Sequence, residues 1–226
     1  SALPQGWRTP SWNKGSASSD SASGNLLIDG RANSTSMTAV MLPVELESLT
    51  NYRVDMEFTI DATLNNDAAR WVSLMYRTSP MGGAIAFEPY YQFAIRQNAT
   101  ASNGTEFAFR SGGGWSVQNT KSFTETIDKS KTYKATVIVY GNRVRQYLND
   151  VLLHDTLMTT DQLKGGVGMQ TAGALLRVKS IKVTEQVTAL PELDMPIAVQ
   201  DTGTAASMAP TLVQSMSVLA SQEGDG

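Results

Sequence analysis

The sequence of 226 residues contains no cysteine and one histidine, His154. The first absence excludes disulfides, thiol nucleophiles and thiolate zinc sites, and the second leaves no histidine cluster for a metal. Charge of either sign is scarce: 18 Lys and Arg stand against 21 Asp and Glu, a formal net charge of −3 with no basic block. Such a balance argues against nucleic acid as a partner. No stretch approaches the ~18 consecutive apolar residues of a membrane-spanning helix, which argues against a membrane, and the opening residues lack the charged-then-apolar pattern of a secretion signal. With Ser1 where an initiator Met would stand, the sequence reads as a trimmed or mature form. Two motifs of chemistry are also missing: no Gly-x-Ser-x-Gly elbow occurs, and the glycine-rich segments lack the Lys-Ser/Thr of a phosphate loop.

Lys, Arg and aromatic residues are likewise absent after residue 187, where Glu192, Asp194, Asp201, Glu223 and Asp225 remain. The negative charge therefore belongs to the tail, and residues 1–187 are slightly positive. The composition predicts a domain over 1–187 and a linker-like tail over 188–226, which either docks one helix on the main domain or opens a truncated second domain. Leu190-Pro191 and Met195-Pro196 favour extended backbone, and residues 202–207 read as linker. Beyond Pro210, the spacing of Leu212, Val213, Met216 and Leu219 predicts a helix.

What the first 187 residues do have is alternation. From Tyr52 to Ile60, Val54, Met56, Phe58 and Ile60 share one face and Arg53, Asp55, Glu57 and Thr59 the other, the pattern of a half-buried strand. The same period places Val72, Leu74 and Tyr76 inward on one strand and Tyr91, Phe93 and Ile95 inward on the next. Ser111-Gly112-Gly113-Gly114, Gly141-Asn142 and Asn149-Asp150 read as tight turns between strands. About ten short strands with no confident helix before the tail predict an all-β, two-sheet antiparallel sandwich.

The stretch from Val137 through Gly141-Asn142 to Leu152, then Gly165-Gly-Val-Gly168-Met-Gln170 and Arg177 to Val183, resembles the closing strands of concanavalin-A-like jelly rolls. The superfamily includes laminin-G domains, legume-type lectins and laminarinase-type glucanases, and the resemblance spans roughly residues 5–187. Met75-Tyr76-Arg77 and Tyr90-Tyr91-Gln92-Phe93 resemble its paired front-sheet strands. The resemblance implies the fold. It leaves function open, because such domains serve as sugar binders, enzymes and spacers.

Glucanases of this superfamily carry Glu-x-Asp-x-Glu on one strand, so that acid and nucleophile flank the scissile bond. The nearest matches, Glu45-Leu-Glu47 at a predicted strand edge and Asp55-Met-Glu57, are incomplete. Asp55 and Glu57 are the candidate pair should the chain be a glycosidase. His154 is expected on the surface at a strand end, with Asp155 facing the opposite way. Relatives also hold calcium through loop oxygens, for which Asp20, Asn25 and Asp29 are the candidates, although ordinary turn roles explain them as well.

Parity then exposes Trp71, Arg77, Tyr90 and Gln92 on one side of the sheet and Arg145 and Tyr147 on the outside of a later strand. If the resemblance makes these strands neighbours, they form one concave surface of flat rings and planar donors, suited to stacking on sugars and bonding their hydroxyls. Trp7, Trp12 and Trp115 are expected to be buried against the sheet edges. The reading is a non-catalytic carbohydrate-binding or accessory module of an exported multidomain bacterial protein, with a polysaccharide or oligosaccharide as partner. The alternatives are a glycosidase using Asp55 and Glu57, or a spacer packed on a downstream catalytic domain.

Overall fold

Alternating apolar residues close into two stacked sheets. The computed structural model describes residues 2–80, 84–191 and 214–217. Among them the strands are β1 (Ser16–Ser19), β2 (Leu26–Asp29), β3 (Thr38–Met41), β4 (Tyr52–Thr63), β5 (Trp71–Thr78), β6 (Tyr90–Arg96) and β7 (Thr105–Ser111). They continue as β8 (Gly114–Lys121), β9 (Tyr133–Tyr140), β10 (Arg143–Leu148), β11 (Val151–Leu157), β12 (Gly166–Ala172), β13 (Ala174–Glu185) and β14 (Gln214–Ser217). The front sheet has the order β3-β12-β5-β6-β7-β8 and the back sheet the order β1-β2-β13-β4-β9-β10-β11, with all pairings antiparallel. The architecture is a concanavalin-A-like jelly-roll sandwich.

Each inward face matches the alternation. Val54, Met56, Phe58 and Ile60 of β4 are almost fully buried, as are Val72, Leu74 and Tyr76 of β5 and Tyr91, Phe93 and Ile95 of β6. Burying each such side chain contributes roughly 1.5–3 kcal/mol. A ladder of rings runs through this core: Tyr91 stacks between Tyr76 at 5.9 Å and Phe107 at 5.6 Å.

Turn chemistry fixes the register. Asn149 and Asp150 sit at φ 48° and 64° between β10 and β11, the positive pair that a two-residue hairpin of the right twist requires. Gly112 and Gly113 do the same between β7 and β8, placing Arg110 directly opposite Trp115. A single positive-φ residue, Gly173, carries the chain from β12 in the front sheet to β13 in the back sheet.

Two departures concern the ends of the reading. Glu45 and Glu47 lie in a 3-10 turn, Val44–Ser48, rather than at a strand edge. Met216, placed on a helix by its spacing, lies in β14, which pairs with Ser180–Val183 of β13; Leu212, Val213 and Leu219 lie outside the described residues. The edge of β13 left open by the short β2 offers the backbone partners, so ladder pairing overrides the local spacing.

Candidate functional site

Trp71, Tyr90 and Gln92 project from the outer face of the front sheet, opposite the core. Tyr90 and Gln92 point outward but are covered. They belong to a buried network in which Tyr90 Oη donates to Gln170 Oε1 at 3.2 Å, while Gln170 Nε2 and Ser73 Oγ donate to Gln92 Oε1 at 2.8 and 3.1 Å. Burial pushes the Tyr90 phenol well above its usual range, so it stays a neutral donor. Part of the cover is a strap: Trp12 and Ala86 pack on a second apolar cluster of Ala39, Met41, Met75, Phe87 and Tyr90, and Trp12 Nε1 donates to the Ala86 carbonyl.

The exposed ring on this face is Trp115, expected to be buried against a sheet edge; it does lie on the edge strand β8, but its ring faces solvent. It is 38% exposed and meets Trp71 and Tyr90 edge to face at 6.1 and 5.9 Å. The Arg110 guanidinium lies 4.7 Å from the Trp115 ring centroid. Arg110 is fixed in turn by Glu88, whose Oε1 accepts from Nε at 2.6 Å and whose Oε2 accepts from the Gly113 amide at 2.8 Å. The face's other acid, Glu106, is held by Arg96 Nη2 at 2.6 Å. A recess of ≈ 220 Å³ opens beside this group, lined by Trp12, Lys14, Ser36, Met37, Glu88 and Arg110 among others. The signal for Trp115 was present in the sequence: a two-residue turn at Gly112-Gly113 puts residue 115 opposite residue 110, on its face.

Arg145 and Tyr147 belong to the other side of the molecule. β10 pairs with β9 and β11, so these side chains lie on the outer face of the back sheet, while Gln146 between them turns inward to the Tyr76 hydroxyl at 2.8 Å. The parity holds and the sheet differs, which corrects the expectation of one shared concave surface. Arg145 is almost fully buried, donating to Asp155 at 3.2 Å and to the Pro191 carbonyl of the segment that follows β13. Tyr147 lines a separate recess of ≈ 280 Å³ with Arg53 and Asp150.

Arg77 is a correction of another kind, because it is fully buried. It is the extra residue of a bulge where β5 pairs with β12, with φ 51°, and the break in alternation turns its side chain into the interior. There it donates to the carbonyls of Thr50 at 2.7 Å and Gln162 at 3.4 Å, and the Tyr52 hydroxyl accepts from its backbone amide at 2.7 Å. Burial lowers its pKa from the usual arginine value.

The carboxylates considered for catalysis lie on the back sheet. Asp55 accepts from Arg53 at 2.7 and 2.8 Å and from Thr136 Oγ1 at 2.6 Å. Burial raises its pKa, but these bonds outweigh burial and leave it below the usual carboxylate value, the opposite of what a general acid needs. Glu57 accepts from Ser180 Oγ at 3.1 Å. Of the calcium candidates, Asp20 accepts from Ser23 and from Arg177 at 3.0 Å, Asp29 takes Arg31 in a two-bonded fork, and the Asn25 carbonyl accepts the Asp20 amide. Each carboxylate already faces an arginine.

His154, expected at the surface, is buried between the sheets, 6.0 Å from the Phe93 ring. Its Nε2 lies 3.0 Å from Thr105 Oγ1, whose own hydrogen goes to the Lys121 carbonyl at 2.9 Å. The imidazole must therefore carry its proton on Nε2, leaving Nδ1 bare with no partner among the described residues. Burial and then the Lys121 charge lower its pKa from 6.5 to about 4.

A family model described as a 3-keto-alpha-glucoside-1,2-lyase-like domain matches residues 2–184. The chain belongs to this family. No curated protein matches the sequence. Among solved structures, it is similar to the carbohydrate-binding module CBM66 from Bacillus subtilis, with a TM-score of 0.60, 18% identity, and coverage of 80% of this chain and 96% of that one. A glycoside hydrolase family 16 endo-glucanase from Bacteroides ovatus gives 0.55 at 10% identity, over 78% and 94% of the two chains. A putative glycosyl hydrolase from Parabacteroides distasonis gives 0.51 at 13% identity, over 80% and 88%. At these identities the likeness shows the fold, a jelly-roll frame shared with proteins named for binding and for cleaving sugars.

Proposed function

We infer that this domain binds carbohydrate on the outer face of the front sheet, beside Trp115, and does not hydrolyse it. The observation that carries the reading is the Trp115–Arg110–Glu88 assembly at the mouth of a recess. An exposed indole offers a flat apolar platform for sugar C–H groups, and ion-paired, bonded neighbours hold it in place with little entropy left to lose on binding. Both acids of this face are engaged by arginines at 2.6 Å, so neither stands free to protonate a glycosidic oxygen. Service as an accessory module of an exported multidomain protein is part of the same reading.

Retention of the full chain on immobilised glycans tests it. A stacked indole contributes on the order of 1 kcal/mol, so binding is expected in the micromolar to millimolar range and Trp115→Ala should lose about five-fold. Its melting temperature should hardly change, because the ring stands outside the core. Equal retention of wild type and Trp115→Ala would refute this location. The family description favours a second reading, cleavage of a 3-keto-glucoside by elimination across its C1–C2 bond. Incubation with such a substrate and detection of the released aglycone decides between the two.

A further inference from the structure

The segment entering β1 lines two openings at once. One is the recess of ≈ 220 Å³ beside Trp12 and Arg110; the other, of ≈ 540 Å³, is bounded by Asp29, Arg31 and Asn65 where β2 and β4 end. Lys14 is the residue common to both linings, which places its side chain beside each opening. The larger opening alone has the size that small-ligand sites occupy.

Charges lining the two openings cancel except at one point. Glu88 is paired with Arg110 at 2.6 Å, and Asp29 with Arg31 at 2.7 Å through a fork that fixes both groups. Lys14 is exposed and has no carboxylate partner among the described residues. A neutral ligand could accept hydrogen bonds from this ammonium but would leave its charge uncompensated, whereas an anionic one supplies the counter-charge as well. A lysine ammonium is a compact point charge on a flexible stem, suited to a carboxylate or a sulfate alike.

We propose that the two openings act as one groove for an acidic glycan, with the anionic group of one sugar residue seated against Lys14 and the neighbouring sugars in the two recesses. The proposal rests on the carbohydrate-binding reading above and adds the charge of the ligand and its path across the molecule.

Affinity electrophoresis of the full chain through polygalacturonate, dextran sulfate and neutral dextran tests it. Retardation is expected in an acidic matrix, and which of the two acidic matrices retards the chain separates a uronate carboxylate from a sulfate. Lys14→Ala should weaken it about five-fold, the scale of one exposed ion pair, Lys14→Glu should weaken it further, and Lys14→Arg should retain it. Raising salt to about 0.5 M should weaken wild type and leave Lys14→Ala nearly unchanged. Retardation by neutral dextran alone, or acidic retardation untouched by Lys14→Glu, overturns the proposal while leaving carbohydrate binding in place. Acidic retardation that needs Lys14 but not Trp115 keeps the groove and removes the Trp115 platform. No retardation in any matrix overturns both.

Discussion

Protonating His154 should unlatch the sandwich as pH falls from about 6.5 to about 4. In the folded protein its Nδ1 faces no acceptor, so a second proton creates an unpaired cation beside Phe93 inside the core. Burial lowers the pKa to about 4, whereas in the unfolded chain the imidazole protonates near the ordinary 6.5. The unfolded state therefore binds more protons between these values, and the stability due to neutral His154 is complete above about pH 6.5 and lost as pH falls to about 4. At about 1.4 kcal/mol per pH unit the gap is worth about 3 kcal/mol, or a fall of roughly 6–12 °C in melting temperature for a domain of this size. Asp20, Asp29, Asp55, Asp128 and Asp155 are lowered from 3.8, so their contributions are lost below the window, while Glu125, lowered from 4.5, begins to lose its contribution only at the acid end and does so equally in wild type and His154→Gln. Urea unfolding at intervals from pH 7 to pH 4.2, for wild type and His154→Gln, measures the effect, and the glutamine variant should lose most of the slope. A flat wild-type stability across this range, or a histidine proton resonance titrating near 6.5, would refute the reasoning.

Arg77→Ala should cost about 3 kcal/mol in chemical unfolding, because the Thr50 and Gln162 carbonyls and the space of a fully buried side chain are all left unfilled; a loss under about 1 kcal/mol would mean water replaces it. Gly165→Ala should be far worse than Gly112→Ala in thermal melts. The added Cβ at residue 165 meets the Thr78 carbonyl oxygen at 2.4 Å, whereas at residue 112 nothing lies within 4 Å and only the positive φ costs roughly 1–2 kcal/mol. Comparable melting temperatures for the two would be inconsistent with this geometry. Calcium or EDTA should leave the melting temperature unchanged, since Arg177 and Arg31 already occupy the carboxylates of Asp20 and Asp29; a calcium-dependent rise would show that those arginines yield.

Alternation and turn dipeptides made the strands legible because both are local: the period of two decides which face is buried, and Asn149-Asp150 and Gly112-Gly113 decide where the chain reverses. Sheet membership was not legible. Nothing near Arg145 and Tyr147 states that β10 pairs with β9 and β11, and so lies across the sandwich from β5 and β6. The Arg77 bulge depends on how β12 meets β5 from some ninety residues away, beyond the reach of any local pattern. His154 was misplaced for a related reason. A shift in the β10–β11 register redirects its ring, and only the sheet opposite supplies the Phe93 and Thr105 that enclose it. Trp115 could have been found by counting across its turn.

The hairpin through Gly173 has a consequence for how the chain is made. Among the described residues β12 is the only strand that joins β3 to β5, and β13 the only one that joins β2 to β4, so each sheet has an internal gap until residues 166–185 exist. A ribosome delivers them after every other strand of the two sheets except β14. Through most of synthesis β3 has only the Arg8 bridge to Met41, β1 and β2 have only each other, and the long edges of β4 and β5 stand open to any passing strand. Closing the gap then joins Leu26 to Val178 and Val40 to Met169 in one event, which places folding at the slow, non-local end of the scale. Vectorial synthesis thus leaves the nascent domain no stable half, and its exposure to aggregation is set by how long the ribosome takes to reach Glu185.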